Sequence, residues 1–189
     1  MDIIMVRHGE SEDNIKKVYS TTSTSLTEKG KTEILKTKKL LEKYNYEEIY
    51  YSPYKRTVDT LHYLGLEGKE DNRIREIEFG IFEGKNFEEI LKIYSEEAKL
   101  WIEDIYNYRI PKGESLLDVY NRVSEFLEEL CKMNKSALLV THDSVIRLAL
   151  CWVFDEPLYF YRFKVDNGSI TTITVNEGYK YINRLNQTY

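Results

Sequence analysis

The 189-residue chain contains only three histidines, His8, His62 and His142, and only two cysteines, Cys131 and Cys151. Neither cysteine has a second cysteine or a histidine at ligand spacing, and no HxxEH-like or CxxC pattern occurs. A dedicated zinc site is therefore not expected, and both cysteines read as buried thiols. No apolar run approaches the roughly 20 residues needed to span a bilayer, so no membrane partner is expected. The N-terminus lacks a basic segment followed by an apolar stretch, so no secretory leader is expected and the cytoplasm is the default location. Basic charge is also scarce: 27 Lys and Arg against 32 Asp and Glu give a net charge of −5. Without a basic surface a nucleic-acid partner is not expected, and any bound phosphate has to be drawn by a local arginine cluster.

What is present is the composition of an ordinary globular protein, 42% hydrophobic and 31% charged. Length and composition predict a single domain over residues 1–189, with a small insertion. The most informative stretch is Ile3-Ile4-Met5-Val6, an unbroken apolar run of a length that suits a central strand covered on both faces. It runs directly into Arg7-His8-Gly9, which places a cation and an imidazole on one compact turn where Gly9 lets the backbone come close. Ala137-Leu138-Leu139-Val140 is a second such run and also ends in a polar residue and a histidine, Thr141-His142. The two strands read as neighbours, and ligands in α/β sheets collect at the carboxyl ends of strands.

Between these runs, Val18–Ser25 reads as a loop. Thr27 is a candidate N-cap for an amphipathic helix marked by Ile34, Leu35, Lys38, Leu41 and Tyr44. Glu48–Tyr51 reads as a strand ended by Ser52-Pro53, with Pro53 placed to open the next helix, which carries Arg56 and, mid-helix, a structural His62. Leu66–Arg73 reads as a loop. From residue 82 to 112 apolar and aromatic side chains recur with helical spacing, with no glycine between Gly84 and Gly113, predicting two helices, most of these side chains packing the helices on each other and on the sheet. Ser115 is a candidate cap for a long helix through Leu130. Phe160–Val165, Ser169–Val175 and Tyr179–Leu185 read as strands, the last two as a hairpin. The fold expected is α/β, a three-layer α/β/α sandwich with a mostly parallel central sheet.

Five segments in order resemble the signatures of the histidine phosphatase (phosphoglycerate mutase-like) superfamily. They are Arg7-His8-Gly9-Glu10-Ser11 with Asn14; Ser52-Pro53 delivering Arg56; Glu76 ahead of Phe79-Gly80 and Glu83-Gly84; Gly113-Glu114-Ser115; and Val140-Thr141-His142. Two departures stand out. Thr24 and Ser25 replace the Asp and Pro usual ahead of the Leu26-Thr27 pair, and Asp143 stands where glycine is usual after the histidine; its carboxylate is expected to turn away from the phosphate pocket toward a cation.

The resemblance implies a phosphomonoesterase working without a cofactor or metal ion, with a helical cap near residues 82–112 over the site. His8 would be the nucleophile, Glu76 (alternatively Glu78) the general acid, and His142 a catalytic and phosphate-binding residue beside Arg7, Arg56 and Asn14. Rival readings are a phosphoglycerate mutase and an inactive phosphate-binding module; mutases of the family are longer, and every polar residue the chemistry needs is present. Compact relatives act on α-ribazole phosphate, phosphoserine, sugar phosphates or phosphoglycerates, and the Glu-x-x-Phe-Gly-x-x-Glu-Gly segment is most similar to the α-ribazole phosphatases. The partner implied is a small-molecule phosphomonoester.

Overall fold

A computed structural model describes residues 1–189. Its central strand is β1 (Asp2–Arg7), in which Ile3, Ile4, Met5 and Val6 are fully buried, as a strand covered on both faces requires. It pairs in parallel with β4 (Ala137–Thr141), Ile3 opposite Ala137 and Arg7 opposite Thr141, so the two apolar runs end side by side. Beyond β4 lie β2 (Glu48–Tyr51) and the two-residue β3 (Lys69–Glu70), also parallel. On its other side β1 pairs antiparallel with β5 (Ile170–Asn176), which returns through a hairpin to β6 (Tyr179–Gln187). The order β3-β2-β4-β1-β5-β6 makes a six-stranded, mostly parallel sheet.

Side chains alternate across a strand, and here the alternation sorts the core into two halves. Ile4, Val6, Leu138 and Val140 meet Ile34 and Leu41 of α2 (Glu28–Leu41) and Leu61 and Leu64 of α3 (Lys55–Leu64). Ile3, Met5 and Leu139 meet the apolar faces of α6 (Leu116–Met133) and α7 (Asp143–Val153). Helices therefore cover both faces, giving the three-layer α/β fold. Thr27 Oγ1 accepts from Gly30 N at 3.0 Å to start α2, and Ser115 caps α6 in a reciprocal pair with Asp118.

Two helices, α4 (Phe87–Ile93) and α5 (Ser95–Glu103), occupy the stretch between Phe82 and Lys112. Phe82, Ile90, Ala98 and Ile110 form a small separate core there, with Tyr19, Phe79 and Trp101 packed against it. Tyr94 and Tyr108 pack there too, and Ile105 and Tyr106 reach the main core, but Phe87, Leu91, Ile93, Leu100 and Ile102 are exposed, so the expectation that most of these side chains pack inward holds for only part of the segment.

Several sequence expectations are corrected. Phe160–Val165 does not form a strand: Pro157–Arg162 winds into a 3-10 helix, opened by Pro157 and by Glu156 Oε1 accepting from Leu158 N at 3.0 Å. The β propensity of that aromatic run yields to packing, because Phe160 is buried with the Arg147 guanidinium over its ring at 5.4 Å. Pro53 does not open α3, which begins at Lys55 with Tyr54 as its cap. The loop Leu66–Arg73 contains β3, too short to leave a periodic signal. Helix α2 stops at Leu41, before Tyr44, and Leu35 points largely to solvent. Cys151 is buried, its thiol pushed up to about 12 by burial, whereas Cys131 is only half-buried.

Candidate active site

The end of β1 is held in place before any site chemistry is considered. His8 N donates to Thr141 O at 3.0 Å, and Gly168 N donates to His8 O at 3.1 Å, so the turn is pinned between β4 and the segment before β5. Gly9 meets α2 so closely that a Cβ there would lie 2.4 Å from Gly30 O, and a Cβ on Gly30 would lie 2.1 Å from Glu10 O. Two glycines facing each other set the distance between the turn and the helix.

His8 is buried, and its Nδ1 lies 2.8 Å from Gly9 O. A carbonyl only accepts, so Nδ1 carries the proton and Nε2 keeps its lone pair. Arg56 Nε donates to that lone pair at 3.2 Å. Burial first, then the Arg56 and Arg7 charges, hold the imidazole well below its ordinary pKa, so it is neutral at physiological pH.

Arg56, in the first turn of α3, is almost fully buried over the Tyr54 ring at 5.2 Å. Its Nη1 donates to Thr21 O at 2.8 Å. The Thr21–Thr24 loop is tied in turn to Asp13 Oδ2, which accepts from Thr21 N at 3.2 Å and from the Thr24 hydroxyl. Thr24, where an Asp was expected, thus shapes the loop that orients the arginine. Arg7 Nη1 donates to Val165 O and lies 3.5 Å from Asp143 Oδ1.

Asn14 sits in the short helix α1 (Glu12–Lys16). Its Oδ1 accepts from Ser11 N at 3.0 Å, Ser11 Oγ at 2.9 Å and Asn167 Nδ2 at 3.1 Å. With its oxygen saturated by donors, the side chain has only its NH2 to offer a ligand, as phosphate contact requires. Asn167 also donates to His8 O at 3.2 Å, linking the two residues; it precedes Gly168 in a loop and left no sequence signal.

His142 is fully buried at the end of β4, its ring centroid 5.2 Å from that of His8 and 5.3 Å from that of Tyr54. Its Nε2 lies 2.7 Å from Ser52 Oγ. Burial, then Arg56 and His8, lower its pKa well below the usual value, so in the resting site it acts as a hydrogen-bonding group and not as a full charge. His62 is exposed in the last turn of α3, away from this cluster.

Glu76 and Glu78 are clearly separated. Glu78 pairs with Arg75 Nε at 3.0 Å with its side chain 42% exposed, whereas Glu76 is buried, with Ile77 N donating to its Oε1 at 3.1 Å. Burial raises the Glu76 pKa, the Arg56 charge opposes this, and the Asp143 charge adds to it. The Glu76 backbone is clamped by Arg122, whose Nη2 donates to Glu76 O at 3.2 Å and pairs with the buried Glu114 at 2.9 Å.

Asp143 does not turn away. It bridges Arg147 Nε at 2.9 Å and Arg7 Nη1 at 3.5 Å, so its charge is absorbed by two guanidinium groups while it faces the site. Asp143, Ser144 and Arg147, with Tyr19, Ile77, Phe79, Trp101, Leu116, Phe160 and Tyr161, line a cavity of about 250 Å³, to which Asp143 and Ile77, the chain neighbours of His142 and Glu76, contribute. Its walls come from the loop at Tyr19, the Ile77–Phe79 segment, Trp101 of the cap, Leu116 at the start of α6, α7 and the 3-10 helix, and most are apolar.

The assembly combines a buried neutral imidazole whose unprotonated Nε2 accepts from Arg56, a second guanidinium group, a second imidazole, an amide and a carboxyl held toward its protonated form. No group of three His, Cys, Asp or Glu side chains is arranged to hold a metal ion, and no helix is long and apolar enough to cross a membrane.

Comparison with known proteins points in the same direction. The model of the histidine phosphatase superfamily, branch 1, matches residues 3–188. Phosphoserine phosphatase 1 of Hydrogenobacter thermophilus is 34% identical over 98% of this chain and 92% of its own length. The alpha-ribazole phosphatase of Shigella flexneri has a similar fold, with a TM-score of 0.92 at 22% identity over 99% of this chain and 96% of that one. Phosphoserine phosphatase of Entamoeba histolytica, solved with 3-phosphoglyceric acid, gives a TM-score of 0.86 at 26% identity over 99% and 97% of the two chains.

Proposed function

The chain belongs to branch 1 of the histidine phosphatase superfamily and is a phosphatase, and from that premise we propose that it hydrolyses a small-molecule phosphomonoester through a phosphohistidine on His8. The observation that carries this reading is the pair of contacts on one ring: Nδ1 is committed to Gly9 O, and Nε2 faces Arg56 Nε with its lone pair intact.

A phosphate ester replaces His8 as the acceptor of the Arg56 N–H, and Arg7, Asn14 and His142 hold the remaining phosphoryl oxygens. Nε2 attacks phosphorus, the P–O bond to the alcohol breaks, and Glu76 gives its proton to the departing oxygen. Glu76, now a carboxylate, takes a proton from water as that water attacks phosphohistidine, releasing phosphate and restoring both groups. The charge stabilisation is assigned to Arg7 and Arg56, with no metal ion in the scheme.

The leaving alcohol lies in the 250 Å³ cavity, whose aromatic walls favour a flat apolar group such as that of α-ribazole phosphate. A second reading is phosphoserine. The Asp143–Arg147 pair in the cavity wall offers a carboxylate and a guanidinium to an amino acid's charged groups, and the Hydrogenobacter relative is named for that activity. Phosphate release from a panel of phosphomonoesters by wild type and His8→Ala tests both readings. Hydrolysis lost in His8→Ala, with α-ribazole phosphate ahead of phosphoserine, is expected. Isomerisation of 3-phosphoglycerate running ahead of phosphate release would replace this reading with a mutase.

A further inference from the structure

Ser52 directly follows β2, and the β2–β4 pairing carries on so that Ser52 N donates to Val140 O at 3.1 Å. This register puts the Ser52 side chain beside His142, two residues further along the neighbouring strand. The Ser52 carbonyl is anchored separately, accepting from Thr57 Oγ1 at 2.9 Å, and the residue is fully buried.

The hydroxyl has two neighbours. Tyr54 N lies 3.4 Å from Ser52 Oγ and is a donor, so the oxygen accepts there. His142 Nε2, at 2.7 Å, is then the single acceptor left for the Ser52 proton. A hydroxyl carries one proton, and an imidazole nitrogen that accepts cannot also carry one. In the neutral ring the proton accordingly resides on Nδ1, which is buried without a hydrogen-bond partner in the protein.

Resting on the reading of His142 as a phosphoryl contact, we infer that Ser52 is a positioning residue: its hydroxyl fixes the tautomer of His142 so that Nδ1–H, and not a lone pair, faces the transferred phosphoryl group. A lone pair directed at an anionic oxygen repels it, whereas an N–H stabilises it, so the tautomer decides the sign of the interaction. The arrangement complements that of His8. A carbonyl acceptor commits the His8 Nδ1 proton and exposes a nucleophile, whereas a hydroxyl donor occupies His142 Nε2 and exposes a donor. Two adjacent imidazoles thus present opposite faces to one phosphate, each set by a single neighbour.

Long-range proton–nitrogen NMR of the imidazole rings in the free enzyme reads this directly, because protonated and unprotonated ring nitrogens have well-separated shifts. No substrate is needed, so the result is independent of whether the phosphohistidine scheme holds. Wild-type His142 is expected with a protonated Nδ1 and an unprotonated Nε2. In Ser52→Ala the ring is expected to shift toward protonated Nε2, with kcat/KM falling about 10²-fold, the scale of losing one preorganised donor. Protonated Nε2 in the wild type overturns the inference from the native enzyme alone. An unchanged tautomer in folded Ser52→Ala overturns it as well.

Discussion

Arg56 Nε donates to His8 Nε2 at 3.2 Å, so in the resting site the arginine sits on the lone pair assigned to attack phosphorus. With burial, the contact lowers the basicity of His8, and in the proposed mechanism it holds Arg56 where a phosphoryl oxygen would arrive. Arg56→Ala is expected to lower kcat/KM for p-nitrophenyl phosphate about 10²- to 10³-fold, as removal of a preorganised charge donor does. Circular dichroism should show the fold retained. Near wild-type efficiency would remove Arg56 from the site.

Glu76 and Glu78 are distinguished by leaving-group dependence. An alkoxide needs its proton in the transition state, whereas p-nitrophenolate is stable enough to leave without one. Glu76→Gln should slow alkyl phosphates by about 10²-fold or more while slowing the aryl ester much less. If Glu78→Gln shows that dependence instead, the exposed carboxylate paired with Arg75 is the acid.

A pH profile separates Asp143 from Glu76. In the proposed mechanism hydrolysis of an alkyl ester requires protonated Glu76, so kcat/KM is expected to fall as pH rises through the Glu76 pKa. That pKa is raised first by burial, against the Arg56 charge, with Asp143 adding to the rise. Asp143→Asn removes the added repulsion, so the descending limb should move to lower pH. The ascending limb, set by His8, belongs below 6.5 because burial and the two arginines hold that imidazole neutral. A descending limb unmoved in Asp143→Asn would break the coupling.

Glu76, the proposed acid, is carried on a segment clamped by Arg122 and Glu114. Glu114 also accepts from Arg75 Nη2 at 2.8 Å and from Glu78 N at 3.1 Å, and its side chain is only 7% exposed. Glu114→Gln leaves Arg122 without its counter-charge and Arg75 with Glu78 alone. It should destabilise the protein by about 3 kcal/mol in urea unfolding, the scale for breaking a buried ion pair. A loss of under ~1 kcal/mol, typical of an exposed pair, would mean the clamp is not carrying the segment.

Much of this site was readable because its principal groups sit where chain pattern and chemistry coincide. Ile3–Val6 and Ala137–Val140 are apolar runs that stop at His8 and His142, and the parallel pairing of those strands brings the histidines together. Arg56 was reached through the resemblance alone, since an arginine early in a helix has no pattern of its own. The groups that orient these residues were not legible. Ser52 read as a strand-to-helix junction, and Asn167 and Arg122 drew no reading at all, because each acts through a partner distant in sequence. Asp143 pairs with cations as expected, but it was wrongly expected to face outward, for a similar reason. Repulsion from phosphate argued that it should turn outward, but Arg147, one helical turn further on, and Arg7 neutralise it in place. Phe160–Val165 failed because aromatic content resembles a strand until burial of one ring under Arg147 selects a helix.

The most direct test of the proposed chemistry is to quench turnover of a 32P-labelled substrate and ask where the label resides. The mechanism predicts acid-labile, base-stable label on the peptide containing His8, attached at Nε2 because Nδ1 is committed to Gly9 O, and no label in His8→Ala. Label on a serine or an aspartate, label at Nδ1, or label persisting in His8→Ala would contradict it.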